Sequence, residues 1–193
     1  MSDLVSAIIP ASGFGNRFGG SKIRAQYDGK LFLDNILEVL IKSGINEYKI
    51  IINSDDFEFC KNCINEKDIV INKNPNLEMI YSIYLGIMSS VESAGYLIFP
   101  IDHPFVNSST VDKLLLTFSS NRNSVVKPSF ERKSGHPLII PKILVNEINL
   151  KYQKYSLNEI IKESNLKTLF VDVDDENILR NINNQNDLIN VVE

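Results

Sequence analysis

Close to its start, the sequence combines a glycine-rich segment with two cations, and this combination suits phosphate chemistry. An apolar run at residues 4–9 precedes the segment and predicts a buried strand. Gly13 and Gly15 have no side chain to cover the backbone, so the N–H groups there can approach an anion closely. Arg17 and Lys22 add positive charge beside those amides. The segment therefore predicts a binding loop for a polyphosphate.

Two familiar phosphate loops do not fit this segment. The dinucleotide fingerprint is G-x-G-x-x-G, and Gly13 and Gly15 match it, but Phe18 occupies the third glycine position. The Walker A loop is G-x-x-x-x-G-K-[ST]. Gly15 and Gly20 have that spacing, but the two residues after Gly20 stand in reverse order, Ser-Lys. The lysine would then be misplaced for the β and γ phosphates, which disfavours a kinase or an NTPase.

A second candidate site follows the apolar run at residues 96–101, which predicts another buried strand. Asp102 comes directly after the run, so we expect its carboxylate at the same edge of a parallel sheet as the glycine-rich loop. A hard oxygen ligand there suits Mg²⁺ held jointly with substrate phosphates. An aspartate that only begins a turn would give the same Asp-x-Pro pattern, but the nearby loop favours the metal interpretation.

Strands alternate with helices along the chain, without repeats or a long linker. Such alternation predicts an α/β protein with a mostly parallel sheet covered on both faces, and ligands bind beyond the carboxyl ends of its strands. Besides the two runs above, strands are predicted at 48–52, 69–71, 124–127, 138–140 and 168–173, and helices at 31–43, 56–64, 79–91, 111–118, 142–148 and 157–163.

Composition fits one globular domain over residues 1–193, because 44% of the residues are hydrophobic and 23% are charged. The net charge of −4 and an isoelectric point near 5.3 disfavour a nucleic-acid partner. No apolar stretch reaches the roughly 18 residues of a membrane span, and the first residues lack the form of a signal peptide. We therefore expect a cytoplasmic protein without a membrane partner.

The glycine-rich segment resembles the signature of the nucleotidyltransferases, L-A-A-G-x-x-x-R-M-G-x-x-K. Residues 10–13, Arg17 and Lys22 fall in register with it. Asp102 resembles the D-x-P metal motif of the same family, although Ile101 stands where the family usually has a small residue. The resemblance implies a three-layer αβα, Rossmann-like fold with the mostly parallel sheet of the nucleotidyltransferases.

Further segments are similar to the molybdenum cofactor cytidylyltransferase branch of that family. They are Gly135-His136-Pro137 before an apolar strand, Asn74-Pro75, and the run at 79–83 that contains Ser82. The branch implies CTP as the nucleotide, with Ser82 near its base or ribose. Glu78 stands where the branch has glycine, and Asn181 and Asn183 replace two aspartates of its C-terminal segment.

The resemblance implies transfer of a nucleoside monophosphate to an acceptor that already carries an ionised phosphate, with pyrophosphate released. In the implied catalytic set, Lys22 contacts the α-phosphate, Arg17 holds the β and γ phosphates, and Asp102 binds Mg²⁺. The expected acceptor is a phosphorylated small molecule such as molybdopterin, bound by Gly135 and His136. The implied nucleotide-binding residues are Pro10, Ala11, Ser12, Gly13, Gly15, Asn74 and Ser82.

The sequence also contains two histidines and two cysteines, which are residue types that can bind a metal. His103 is interpreted as a polar loop residue near the site. For His136, a place in the acceptor pocket and a packing role both stay open. Cys60 and Cys63 are interpreted as ordinary reduced thiols, because zinc would need further ligands.

Two other functions stay open. The first is a cytidylyltransferase for a sugar phosphate or polyol phosphate, since residues 9–11 and 14–15 also resemble the methylerythritol phosphate branch. That branch carries a G-G-x-x-R-x-x-S segment, which residues 77–82 do not supply. The second is a non-catalytic module that binds nucleotide and delivers a cofactor, as Glu78 and the asparagines near residue 181 suggest. A molybdoenzyme or a chaperone would be its partner.

Overall fold

The structure is a computed structural model that describes residues 4–15, 17–75 and 77–189. The strands are β1 (Val5–Pro10), β2 (Gln26–Tyr27), β3 (Lys30–Leu31), β4 (Tyr48–Ile52), β5 (Ile69–Ile71), β6 (Gly95–Ile98), β7 (Val125–Phe130), β8 (Lys133–Ser134), β9 (Leu138–Pro141) and β10 (Thr168–Asp172). The α-helices are α1 (Phe32–Lys42), α2 (Phe57–Cys60), α3 (Met79–Ser89), α4 (Ser108–Ser119), α5 (Val145–Lys151), α6 (Leu157–Glu163) and α7 (Asn186–Ile189). Across the three described ranges, no helix has the length and apolar character needed to cross a bilayer.

Within the described residues, eight strands form one sheet, in the order β10-β7-β9-β6-β1-β4-β5, with β8 paired to β7. β1 is parallel to β4 and β6, β4 is parallel to β5, and β7 is parallel to β10. β9 runs antiparallel to its neighbours β6 and β7. The sheet is therefore mostly parallel, which confirms the prediction. β2 and β3 form a separate antiparallel ribbon.

Helices cover both faces of the sheet, because its central strands are apolar on both sides. In β1, Ala7 and Ile9 belong to one core and Ile8 to the other, and all three are fully buried. The first core is completed by α1 and α4, through residues such as Ile36 and Leu114. The second core is completed by α3, α5 and α6. This arrangement confirms the three-layer αβα architecture.

Several predicted elements differ from the observed ones at their ends. β6 ends at Ile98 rather than at residue 101, because Pro100 has no N–H to continue the ladder. The helix predicted over residues 56–64 is wrong in its extent, since α2 contains only residues 57–60. The Asn62 side chain donates to Glu58 O at 2.8 Å there, and such side-chain bonds compete with a continuing helix. The short elements β2, β3, β8 and α7 carry too little apolar pattern to be predicted.

The carboxyl ends of β1 and β6 lie side by side at one edge of the sheet. The two strands pair in parallel with Ile8 opposite Ile98. Beyond β6, the N–H of Ile101 donates to Pro10 O at 3.2 Å, so the chain continues along β1 towards Asp102. The glycine-rich segment and Asp102 therefore leave the sheet next to each other, as the sequence predicts.

Candidate active site

The glycine-rich segment folds into a tight turn that depends on Gly15. The Gly15 carbonyl oxygen accepts hydrogen bonds from the N–H groups of Phe18, Gly19 and Gly20, at 2.8, 3.0 and 3.2 Å. Gly15 has a φ of +63°, and a Cβ there would lie 1.8 Å from Gly20 O. Both observations require glycine. Any other residue at position 15 would have to open the turn.

The turn leaves backbone N–H groups available next to the end of β1. Ala11 N still belongs to the sheet, because it donates to Ile51 O at 2.8 Å. The N–H groups of Gly13, Phe14 and Gly15 have no hydrogen-bond acceptor within the described part of the chain. Free amides grouped in a turn are suited to bind phosphate oxygens. That is the role predicted for this segment from the sequence.

Lys22 and Asp102 are paired beside this turn. The Lys22 Nζ lies 3.4 Å from Asp102 Oδ2 and donates to Asn183 Oδ1 at 2.9 Å. The side chains of Lys22 and Asp102 are 15% and 22% exposed, so water screens their attraction only in part. The N–H of Ile182 donates to Asp102 O at 2.8 Å and attaches the C-terminal segment to the site. Segments far apart in the sequence therefore converge on Lys22.

The Asp102 carboxylate has the character of a metal ligand. Its Oδ1 atom is buried and has no hydrogen-bond partner among the described residues. A buried charged oxygen without a partner is unfavourable unless a cation or a donor binds it. In residues 4–15, 17–75 and 77–189, no group of three or more His, Cys, Asp and Glu side chains is placed to hold a metal. The site fits a cation such as Mg²⁺, which takes few protein ligands and completes its shell with phosphates and water.

Behind the turn, a buried network of neutral side chains fixes the start of the loop. The hydroxyl oxygens of Ser12 and Ser82 lie 2.8 Å apart. Asn72 Nδ2 donates to both hydroxyls, at 3.1 Å each, and Asn72 Oδ1 accepts from the N–H of Asn74 at 2.8 Å. Ser12, Ser82 and Asn72 are all buried. The network therefore connects the loop to the segment after β5 and to α3.

A cavity of about 410 Å³ brings most of the predicted site residues together. Its lining includes Pro10, Ala11, Ser12, Gly13, Gly15, Arg17, Lys22, Ser82 and Asp102, and also Pro75, Leu77, Met79 and Asn183. Asn74, Gly135 and His136 are predicted site residues that lie outside this lining. Asn74 instead lines a neighbouring cavity of about 470 Å³, and the two cavities share Leu77.

His136 packs against His103, which lies beside Asp102, and Gly135 packs closely against Ile178. The ring centroids of His103 and His136 are 4.9 Å apart, and His103 Nε2 lies 3.8 Å from Asp102 Oδ1. Burial lowers the pKa of His103 and lowers the pKa of His136 to about 4, so both rings are neutral at pH 7. A Cβ at Gly135 would lie 2.0 Å from Ile178 O, so glycine is needed there for close packing.

The cysteines do not line this cavity. Cys60 is buried at the end of α2, Cys63 is exposed, and both are free thiols. Burial raises the pKa of the Cys60 thiol to about 11, which keeps it protonated at pH 7. The interpretation of both as ordinary reduced thiols stays a prediction.

Asn72 and Asn183 are site residues that the sequence does not reveal. Asn183 belongs to the segment in which asparagines replace two aspartates, a replacement that points to a lost contact rather than a retained one. The structure places its amide oxygen on Lys22. Asn72 directly follows the apolar residues of β5. A polar residue directly after an apolar strand is the signal that could have identified Asn72, as it identified Asp102.

The fold and the site together define a nucleotide-binding α/β protein, in which free amides, a lysine and a carboxylate meet beyond the ends of parallel strands. The chain belongs to the family described as the MobA-like NTP transferase domain, with a match that covers residues 7–168. It is therefore a nucleotidyltransferase, which confirms the family and the enzyme class predicted from the sequence.

The names of curated relatives are more specific than the description of the family. A probable molybdenum cofactor guanylyltransferase from Methanocaldococcus jannaschii is 25% identical over 175 residues, which are 80% of this chain and 83% of that protein. A protein of the same name from Bacillus cereus is 28% identical over 170 residues, or 84% of this chain and 82% of its own. The solved structure of Rv0371c from Mycobacterium tuberculosis has a TM-score of 0.80 at 14% identity, over 97% of each chain. This structural match confirms the fold.

Proposed function

We propose that this chain transfers a nucleoside monophosphate from a nucleoside triphosphate to a phosphorylated small molecule and releases pyrophosphate. The observation that carries the proposal is the convergence of free amides, Lys22 and Asp102 on one cavity. The amides and Lys22 suit the negative charge of the nucleotide phosphates. Asp102 adds the opposite charge, which suits the divalent cation that accompanies those phosphates.

The proposed reaction requires positioning more than proton transfer. An ionised phosphate oxygen of the acceptor attacks the nucleotide α-phosphorus, and a P–O bond forms. The bond from the α-phosphorus to the bridging oxygen breaks, and pyrophosphate leaves in line. Because the attacking oxygen carries no proton, the step needs no general base. We assign the α-phosphate to Lys22 and the β and γ phosphates to Arg17, which lines the same cavity.

Asp102 is the proposed ligand of Mg²⁺, because its buried Oδ1 has no partner among the described residues. When bound, Mg²⁺ would supply Lewis-acid charge at the phosphate oxygens. Asp102 would then contact the cation in place of Lys22. Asn183 would still hold the Lys22 ammonium group beside the phosphates through the bond of 2.9 Å.

Two nucleotides are candidates for the donor. The G-H-P motif at residues 135–137 predicts CTP, whereas the curated relatives are named for guanylyl transfer, which favours GTP. The same name supports a molybdenum cofactor precursor such as molybdopterin as the acceptor, with a sugar phosphate or polyol phosphate as the alternative. The supply of nucleoside triphosphates favours the cytoplasm, where a molybdoenzyme or a chaperone would receive the product.

Thermal unfolding with CTP, GTP, ATP or UTP in the presence of Mg²⁺ tests nucleotide binding. A nucleotide at about 100 times its Kd should add roughly 2.7 kcal/mol to the free energy of unfolding. Asp102→Ala should abolish the part of this gain that depends on Mg²⁺. The matched control is Asp68→Asn, which removes an ion pair with Lys49 at the amino ends of β4 and β5.

Pyrophosphate release with molybdopterin, sugar phosphates and polyol phosphates tests transfer. The nucleotide that both stabilises the protein and yields pyrophosphate identifies the donor. If a nucleotide stabilises the protein but no acceptor causes release of pyrophosphate, the result would support the non-catalytic delivery module instead. A protein that no nucleotide stabilises would contradict the proposal.

A further inference from the structure

Asp56 is a buried carboxylate that does not line the cavity of the candidate active site. It is 2% exposed and ends a 3₁₀ helix, Ser54–Asp56, that follows β4. Its Oδ2 accepts from Ser21 Oγ at 2.5 Å and from Asn53 Nδ2 at 2.9 Å, and its Oδ1 accepts from Arg24 Nε at 2.7 Å. Each carboxylate oxygen therefore has a donor, as a buried charge requires.

Two of these donors flank Lys22 in the sequence. Ser21 directly precedes Lys22, and Arg24 ends the 3₁₀ turn Lys22–Arg24. The N–H of Arg24 donates to Ser21 O at 3.1 Å and closes the turn. Ile23 is fully buried in the first core. Of the residues in this turn and its cap, Lys22 is the one that lines the cavity.

Arg24 is fixed by more than its ion pair with Asp56. Its Nη2 donates to Asp55 O at 2.9 Å, and its guanidinium carbon lies 5.2 Å from the centroid of the Phe59 ring. A charge-assisted bond in a restrained geometry is stronger than a neutral one. The segment between β4 and α2 therefore holds both ends of the turn that carries Lys22.

We propose that Asp56 is a positioning residue for nucleotidyl transfer, because it holds, through Ser21 and Arg24, the turn that directs Lys22 to the α-phosphate. The inference rests on the proposed function, from which it takes the role of Lys22. Misplacement of a reacting group by about 1 Å can lower a rate by about a hundredfold. Loss of this anchor should therefore affect kcat more than the KM for the nucleotide, which also binds through the free amides.

The experiment compares Asp56→Asn and Ser21→Ala with the control Asp68→Asn. Asp56→Asn keeps the side-chain shape but removes the charge and one acceptor oxygen. Ser21→Ala removes only the bond beside Lys22 and deletes a single oxygen, so it stays informative if Asp56→Asn does not fold. For each variant, kcat and KM are measured from pyrophosphate release, and Tm from thermal unfolding.

Asp56→Asn should lower kcat by about tenfold or more while the KM for the nucleotide changes by less than about threefold. Ser21→Ala should lower kcat in the same direction by a smaller factor. Asp68→Asn should lower Tm without lowering kcat, because its ion pair with Lys49 lies at the opposite edge of the sheet.

A double-mutant cycle with Lys22→Ala tests whether Asp56 acts through Lys22. Lys22→Ala alone should lower kcat by about tenfold or more, since a contact made in the transition state is lost. In the Lys22→Ala background, Asp56→Asn should cause no further loss of kcat, because the group that it positions is gone. A purely structural role of Asp56 would give the same loss in both backgrounds.

The inference is overturned if Asp56→Asn and Ser21→Ala both keep the wild-type kcat at temperatures well below their Tm. It is also overturned if the effect of Asp56→Asn on kcat persists in full without Lys22. Failure of the proposed function gives a different result, in which the wild-type protein itself releases no pyrophosphate with any nucleotide and acceptor. The positioning role then falls with the function on which it rests.

Discussion

The glycine-rich loop is fixed at its two ends by different chemistry. At its start, Ser12, Asn72 and Ser82 form what we call the neutral anchor, a buried set of hydroxyl and amide hydrogen bonds. At its end, the charged anchor consists of Asp56 with the residues that flank Lys22, namely Ser21 and Arg24. One end of the loop is therefore held without any formal charge, and the other by an ion pair.

The difference follows from what each anchor faces. The neutral anchor lies directly behind the free amides of Gly13 and Phe14, where the phosphates are proposed to bind. A carboxylate in that position would repel the phosphates. The charged anchor lies outside the cavity, and Arg24 balances the charge of Asp56. The negative charge of Asp56 thus lies where it does not face the nucleotide.

Gly15→Ala should have the largest effect, because the turn between the two anchors depends on this glycine. The new Cβ would meet Gly20 O at 1.8 Å in a backbone with a φ of +63°, so the turn must open. Stabilisation by CTP or GTP should disappear in thermal unfolding. Gly20→Ala is the control, since a Cβ there has open space. Equal loss in both variants would contradict a special role for Gly15.

Breaking the charged anchor should be the next most damaging change. Asp56→Ala leaves the buried amide of Asn53 and the partly buried hydroxyl of Ser21 without their acceptor, and should lower the free energy of unfolding by about 3 kcal/mol. Denaturant titration measures this loss. Asp112→Ala, at an exposed position of α4, should change it by no more than about 0.5 kcal/mol. A loss at Asp56 as small as at Asp112 would show that the ion pair is dispensable.

Breaking the neutral anchor should have a smaller effect, because no charge is left unpaired. Asn72→Ala should lower the free energy of unfolding by about 2 kcal/mol, since Ser12 and Ser82 keep their bond to each other. The same denaturant titration applies, with the exposed Asn62→Ala as control. If Asn72→Ala were more damaging than Asp56→Ala, the ranking of the two anchors would be wrong.

The smallest of these effects is the dependence of the stability loss on salt, which should differ between the two anchors. Arg24 is 48% exposed, so its attraction to Asp56 is partly screened already. Arg24→Ala should lower the free energy of unfolding because the buried Asp56 carboxylate loses its cation, and this loss should differ by less than about 1 kcal/mol between low ionic strength and about 1 M salt. The loss in Asn72→Ala should be the same at both salt concentrations. An identical salt response in the two variants would argue against the distinction.

The sequence is sufficient to predict the architecture and the residues that leave the sheet at its carboxyl edge. β1, β4 and β6 are mostly buried on both faces, so each appears as a short and mostly apolar run. Parallel pairing then places the loop after β1 beside Asp102, because both follow strands that end at the same edge. These predictions need only local patterns and one topological rule.

The contacts that form the two anchors could not be predicted in the same way. Asp56 contacts residues 32 and 35 positions earlier in the chain, and Asn72 contacts Ser12 across 60 positions. Each is a single polar residue in a segment with no repeat or motif of its own. Their partners follow from the packing of whole elements, which local patterns do not encode. The contact of Asn183 with Lys22 is hidden for the same reason.

That last contact has a consequence for how the protein is made. Asn183 lies 161 positions after the lysine that it binds, so it leaves the ribosome well after that lysine. Until residue 183 has been added, a nascent chain presents the glycine-rich loop, Lys22 and Asp102 without the amide oxygen that restrains the lysine. Translation that stops short of this residue therefore leaves Lys22 without the contact that fixes its ammonium group.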